Sequence, residues 1–315
     1  MDAKVVYGNP QLPYRVAKLV ARMHSGHKGI YNAGSVLKSI ELYQLLLKHK
    51  NEKNVVHFLN GERDIRHLVF FKKKFPNTRF CATFHKPPEI LKQTIANPVA
   101  LQQLDAAIAV GDNQVAFIKE WLQMKHVTYI PHGVDTQFFK PDFTKKKENS
   151  LLFVGQHLRD FGMLNATVPF LSESIKELKV HVVVHPAYRS KVKSHTCVLV
   201  HTHVTDHQLR GFYQEATALY LPMIDSTACN SILEAMACGL PVITNRVGGN
   251  PAYLKDTSNS LIDRGNSNQL INETVAVLKN RTRLTKMGEQ SRKQALELDW
   301  KNIGRTISNF YTSFP

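Results

Sequence analysis

Short runs of β-branched and apolar residues alternate with amphipathic, helix-length segments along almost the whole chain. Residues 4–7, 55–59, 80–84, 106–110 and 127–130 have the unbroken apolar character of strands buried on both faces of a parallel sheet. Between them lie segments such as 35–48, where Val36, Ile40, Tyr43 and Leu47 recur at helical spacing. Residues 140–149 are polar and charged and read as a linker. The pattern then restarts, with strands expected at 151–154, 180–184, 197–200, 218–221 and 241–244 and helices at 206–215 and 230–238. The tail, 268–279, 283–297 and 300–310, is helical with no strand between its parts. Two blocks of alternating β and α predict two doubly wound α/β domains. In such sheets ligands bind beyond the carboxyl ends of the strands, so the loops that follow strands are where chemistry is sought.

Composition narrows the class. The 315 residues are 43% hydrophobic and 21% charged, ordinary for a globular chain and too many for one small core. Cysteines 81, 197, 229 and 238 form no C-x-x-C pair and read as reduced thiols. The N-terminus passes directly into a strand pattern without a signal-peptide stretch, and no apolar run approaches the roughly 18–20 residues that span a bilayer. The expectation is a cytoplasmic protein, at most resting on the inner face of a membrane. Net charge is +16, and it is uneven: 23 Lys and Arg against 12 Asp and Glu in residues 1–148, then 18 against 13. A basic face attracts anionic lipid, nucleic acid and phosphate-bearing substrates alike. The chain lacks the basic-aromatic motifs of nucleic-acid modules. It also shows no carboxylate pair of the kind that hydrolyses glycosides, no G-x-S-x-G elbow and no metal-like spacing.

Residues 218–254 carry the most information. They read as a strand, a small-residue loop, a helix starting near Asn230 and ending at Gly239, and a strand opened by Pro241. Free amides of Cys229, Asn230 and Ser231 at the positive helix end suit a diphosphate. Glu234, one turn further in, can accept hydrogen bonds from vicinal ribose hydroxyls.

This segment resembles the nucleotide-sugar site of GT-B glycosyltransferases, particularly family 4, the "glycosyl transferases group 1" domain. Residues 233–241 and 247–251 match its pattern, LLEAMACGLPVI followed by VGG-x-P, nearly letter for letter. By that resemblance Glu234 is the second acid of an E-x7-E motif and holds the ribose. The first acid falls at Ser226 and is absent, which passes the sugar contact to Ser226, to Asp225 or to the amides of residues 227–229.

Other stretches agree in order. IPHGVDTQFFKP, residues 130–141, resembles the family's hinge segment, with Gly133 and Asp135 either at a cleft floor or in a simple turn. LLFVGQHLRD, residues 151–160, resembles the first strand and phosphate loop of the donor domain, Gly155 included. The usual Arg and Lys of that loop are replaced by Gln156 and Phe161, leaving Arg159 as the nearest cation, facing either phosphate or a surface acid. Just past the strand at 80–84, His85 matches a family histidine that faces the transferred sugar, and Lys86 is a second candidate cation. Gly26 and Gly29 lie in a segment resembling the glycine loop that approaches donor or acceptor.

The resemblance implies two Rossmann-like domains facing across a cleft: 1–145 on the acceptor side, 146–298 binding the donor, and 299–315 a helix packing back on the first. It implies metal-independent, retaining transfer of a hexose from a UDP- or GDP-sugar to a glycan or lipid-linked acceptor. His85 and Arg159 are the catalytic candidates, with no resident cofactor, no metal and no nucleic-acid partner. A degenerate relative that binds nucleotide or sugar without transfer is the alternative. The excess charge of the first half suggests an anionic acceptor or membrane surface; residues 45–50 and 70–75 either offer apolar and cationic groups to lipid or carry solvated lysines on helix ends.

Overall fold

The computed structural model describes residues 3–9, 12–23 and 32–313. They divide into two compact units, one running to Ile130 and resumed from Thr306, the other Pro131–Arg305.

The first unit holds a four-stranded parallel sheet in the order β1 (Asn54–Phe58), β2 (Thr78–Phe84), β3 (Ala106–Ala109) and β4 (Val127–Tyr129). Around it lie α1 (Tyr14–Met23), α2 (Ala33–Lys48), α3 (Leu68–Lys74), α4 (Pro88–Thr94) and α5 (Val115–Trp121). The central strands β2 and β3 are almost wholly buried, as their unbroken apolar sequences require. Phe80, Phe84, Leu68, Leu91 and Ile118 are sealed in this core, and burying each such side chain contributes roughly 1.5–3 kcal/mol. α2 starts at a reciprocal cap in which Asn32 accepts from the Ser35 amide and Ser35 from the Asn32 amide.

Residues 4–7, read as a strand, form none. Val5 and Tyr7 are exposed, and the chain is held instead by Glu41 of α2, whose carboxylate accepts the amides of Gly8 (2.7 Å) and Asn9 (2.9 Å). Four residues with every second apolar side chain in water bury too little to compete with that capture. α1 has no sequence-based forecast. It packs Ala17 and Ala21 on Ala33, Val36 and Leu37 of α2.

The last helix, α12 (Trp300–Thr312), ends in the first unit, where Tyr311 reaches β1. His57 Nδ1 lies 2.5 Å from the Tyr311 hydroxyl and its Nε2 lies 2.7 Å from Thr83 Oγ1. Burial, aided by nearby His85, lowers the His57 pKa to about 4. The unfolded chain therefore takes a proton near pH 6.5 that the folded chain refuses until about 4. This contribution to stability is complete above pH 6.5 and lost as pH falls to 4, roughly 3 kcal/mol in all. Denaturant titrations at pH 7.5 and 4.5 should show that much less pH dependence in His57→Asn than in the parent chain. An equal dependence in both would remove His57 from the account.

The second unit holds a six-stranded parallel sheet, ordered β10 (Ser260–Ile262), β9 (Val242–Asn245), β8 (Ala218–Leu221), β5 (Ser150–Val154), β6 (Lys179–Val183), β7 (Val198–His201). Its helices are α6 (Phe161–Ser174), α7 (Asp206–Glu215), α8 (Asn230–Ala237), α9 (Asn250–Tyr253), α10 (Ser267–Leu278) and α11 (Arg281–Glu297). Side-chain caps fix their starts: Asp160 for α6, Thr205 for α7, Asn266 for α10 and Asn280 for α11. β10 escapes the sequence reading because three residues carry no usable periodicity. The stretch 140–149, read as a linker, is held within this unit. Lys147 donates its amide to Glu215 O (2.8 Å), and Lys146 Nζ donates to Ala216 O (2.9 Å).

Candidate functional site

The second sheet begins at β5, grows outward through β6 and β7, then returns to the other side of β5 with β8. A crevice opens beyond the carboxyl ends of β5 and β8, where the strand order reverses. The two loops there are zipped together: Asp160 N donates to Pro222 O and Ile224 N to Leu158 O, both at 2.9 Å. Gly155 turns at φ +89°, a region open to glycine, and brings the loop against Arg159.

α8 points its amino end into this crevice. Cys229 caps it without a side-chain bond, and its carbonyl receives the amides of Ile232 and Leu233. Among the described residues the amides of Asn230 and Ser231 find no backbone acceptor. Unsatisfied donors at a positive helix end attract an anion. The Arg159 guanidinium lies beside them: Nη2 is 3.1 Å from Ser231 Oγ and 3.3 Å from Cys229 Sγ. Its Nε donates to Val154 O (2.8 Å) and Nη1 to His157 O (3.0 Å), so the side chain also braces its own loop.

Glu234 lies one turn along α8, and its Oε2 accepts a 2.8 Å bond from the Tyr213 hydroxyl. Burial raises the Glu234 pKa to about 7, against the opposing pull of Tyr213 and, further off, Arg159. Ser226, where the family's first acid would stand, is buried with its hydroxyl unpaired, and Asp225 Oδ1 accepts the Ser226 amide (2.7 Å). Gln156 and Gly155 line an open cavity of about 320 Å³ beyond β5 and β6, together with Val183, His185, Pro186 and His203.

The remaining candidates lie elsewhere. Gly133 sits against the Trp300 indole, which a Cβ would meet at 2.6 Å, and Asp135 Oδ1 accepts the amides of Gln137 and Phe138. In this structure the Asp135 carboxylate therefore caps a turn. His85 and Lys86 belong to the first unit, just past β2; both backbone amides donate to Glu62, and Lys86 Nζ donates to Thr94 Oγ1 (3.0 Å). Gly26 and Gly29 lie outside the described residues. The structure thus gathers Gly155, Gln156, Arg159, Ser226, Cys229, Asn230, Ser231 and Glu234 around one crevice of the second unit.

Residues 148–280 match the family described as "Glycosyl transferases group 1". The match covers 133 of the 315 residues and lies wholly within the second unit. A D-inositol 3-phosphate glycosyltransferase from Corynebacterium urealyticum is 26% identical over 109 residues, which are 34% of this chain and 26% of that protein. The match therefore spans about a quarter of the relative's length. Among solved structures, sucrose-phosphate synthase from Thermosynechococcus elongatus superposes with a TM-score of 0.72 at 18% identity, over 87% of this chain and 77% of that one. HepE from Anabaena, solved in complex with UDP and glucose, superposes at 0.68 and 14% identity, over 87% and 82%. These likenesses establish the GT-B fold.

Within the group 1 domain, two features escaped the sequence reading. Tyr213, the partner of Glu234, sits mid-helix in α7 with nothing local to mark it. His185 and His203 wall the cavity only because β6 and β7 are neighbours in the sheet. His181 and His201 stack on that edge with ring nitrogens 3.0 Å apart. Among the described residues no three His, Cys, Asp or Glu side chains converge as a metal site would need.

Proposed function

We propose that this chain transfers a hexose from a nucleoside diphosphate sugar, UDP- or GDP-linked, to an acceptor hydroxyl. The observation that carries the reading is the convergence of unpaired amides, a guanidinium and a carboxylate at the amino end of α8. The amides of Asn230 and Ser231, with Arg159, take the diphosphate, and Glu234 takes the ribose diol. The nucleobase enters the 320 Å³ cavity beside Gln156. In the transfer step the bond from the anomeric carbon to the diphosphate oxygen breaks and a bond to the acceptor oxygen forms. The acceptor's proton leaves with the departing diphosphate, whose charge the helix end and Arg159 stabilise. His85 and Lys86 serve the acceptor side. Transfer proceeds with retention, and protein groups supply the neutralising charge.

One observation favours a second reading, binding without transfer. Every nitrogen of Arg159 already has an acceptor in its own loop or on α8. A thermal-shift screen against UDP-, GDP- and ADP-sugars, followed by turnover assays, separates the two. One donor class should raise the melting temperature by several degrees and be consumed in the presence of acceptor. Binding without consumption on any acceptor supports the second reading, and no shift with any donor removes both.

The acceptor side of this reading is a membrane surface carrying anionic lipid. The helices that carry the two stretches singled out for lipid, 45–50 and 70–75, touch at Tyr43, which stands one turn before Leu47 and whose ring lies 5.9 Å from that of Phe70. Leu47 and Phe70 are exposed there, near Lys48, Lys73 and Lys74. Among the described residues no helix is long and apolar enough to cross a membrane. Vesicles with 30% phosphatidylserine should retain the chain at about 50 mM salt, and the triple change Phe70→Ser, Lys73→Glu, Lys74→Glu should reduce retention at least about fivefold. Equal retention of both would refute a lipid role for this face.

A further inference from the structure

Glu62 is a nearly closed-off carboxylate, 1% exposed, in the turn that follows β1. The turn is tight by necessity. Gly61 N donates to Thr83 O (2.7 Å), and a Cβ on Gly61 would strike the Phe84 ring at 2.7 Å. This brings the acid beneath the end of β2. There Oε1 accepts two amides, from His85 (2.7 Å) and Lys86 (2.9 Å). The other oxygen, Oε2, is buried and accepts no hydrogen bond; the His85 Nδ1 lies 3.9 Å from it.

Two amides account for one oxygen only. A buried negative charge with half its acceptor capacity unused is costly unless a donor approaches. A loop brace alone would be served equally well by a neutral amide, whose carbonyl oxygen accepts the same two bonds. What glutamate adds is a second oxygen turned toward one particular nitrogen of a half-buried imidazole. Its neighbour His57 does not compete, since both its nitrogens already meet the hydroxyls of Tyr311 and Thr83.

We propose that Glu62 is the positioning residue of the acceptor side: its Oε2 holds the proton of His85 on Nδ1 and so presents Nε2, as an acceptor, to the substrate hydroxyl. The tautomer of an imidazole is set by what its other nitrogen contacts. Imidazoles in water favour the opposite form, so the carboxylate is needed to select this one. The proposal rests on the transferase reading for what Nε2 meets, but not for the hold on Nδ1.

The test compares Glu62→Gln with the parent chain, with Glu62→Ala as the variant that removes the brace as well. Side-chain ¹⁵N spectra of histidine-labelled protein, with the His85 signals assigned by their loss in His85→Gln, read the tautomer directly. In the parent chain His85 carries its proton on Nδ1, and in Glu62→Gln the population moves to Nε2 while the melting temperature stays within a few degrees. In turnover assays Glu62→Gln loses about tenfold or more in kcat at unchanged donor KM, as expected when the acceptor hydroxyl loses the hydrogen bond that orients it. A purely structural role predicts that Gln rescues what Ala loses, with the His85 spectrum unmoved; that result overturns the proposal, as does an unchanged kcat in an active enzyme. If the parent chain turns over no donor, the transferase reading fails by itself, and the tautomer still decides whether Glu62 holds His85.

Discussion

Glu234→Ala lowers the affinity for the donor nucleotide at least about 100-fold while leaving the fold intact. Two hydrogen bonds from a ribose diol to a carboxylate contribute roughly 1.5–3 kcal/mol each against water, and alanine removes both. The fold survives because two effects oppose each other. The Tyr213 hydroxyl loses its 2.8 Å acceptor, but the chain is relieved of a carboxyl whose ionisation burial already resists. The same burial gives binding a pH signature. Glu234 titrates near 7 instead of 4.5, and in the proposed complex it is the ionised form that accepts from the diol. Donor affinity therefore rises with pH across 6–8. Stability moves the other way, because the folded chain holds a proton between pH 4.5 and 7 that the unfolded chain has released. Tyr213→Phe removes the bond that favours ionisation, so the binding midpoint moves to higher pH. Calorimetric titration with the donor identified by thermal shift, at pH 6, 7 and 8, measures all of this. Wild-type affinity in Glu234→Ala, or a flat pH profile in the parent, would dislodge the ribose from this carboxylate.

That much of the site was legible because its signals are local. A helix start at Asn230, a glycine stop at Gly239 and an acid one turn in are adjacent in sequence, and α8 spans Asn230–Ala237. Loop glycines after strands, such as Gly155, declare themselves in the same way. The strands of both sheets were legible wherever burial on both faces forces an unbroken apolar run. The reading failed where only tertiary structure decides. Residues 4–7 have strand-like composition, but the chain just after them, at Gly8 and Asn9, is held by Glu41, 32 or 33 residues further on. Tyr213 reaches Glu234, and Glu62 reaches His85, across separations with no fixed spacing. Arg159 was found as the nearest cation in the loop that resembles the family's phosphate loop. That its nitrogens would brace Val154 and His157 as well as face α8 could not be foreseen from composition.

Gly248→Ala should be the most damaging single methyl in the second unit. Gly248 follows β9 and adopts φ +48°, where an alanine is strained by about 1–2 kcal/mol before any contact is considered. Its Cβ would then lie 1.8 Å from Ser226 O and 2.7 Å from Asp225 Oδ1. The first of these is backbone, so no rotamer change relieves it. The next residue adds to the constraint, since Gly249 N donates to the same Ser226 carbonyl at 3.1 Å. The loop carrying Asp225 and Ser226 must therefore move away from β9, and Thr227–Cys229 at the mouth of α8 must follow. The combined strain and overpacking come to about 3 kcal/mol, a fall of several degrees in melting temperature. Donor affinity should drop at least tenfold in the protein that remains folded, because the displaced loop adjoins the unpaired amides of Asn230 and Ser231. Gly211→Ala is the matched control. It lies within α7, where a Cβ meets nothing within 4 Å, so alanine should stabilise the helix by roughly 0.5–1 kcal/mol. The opposite signs follow from one physical statement: the space beyond β9 is filled by backbone, and the outer face of α7 is open. If Gly248→Ala melts and binds as the parent does, the loop after β8 does not rest on this glycine, and the geometry assigned to the mouth of α8 loses its support.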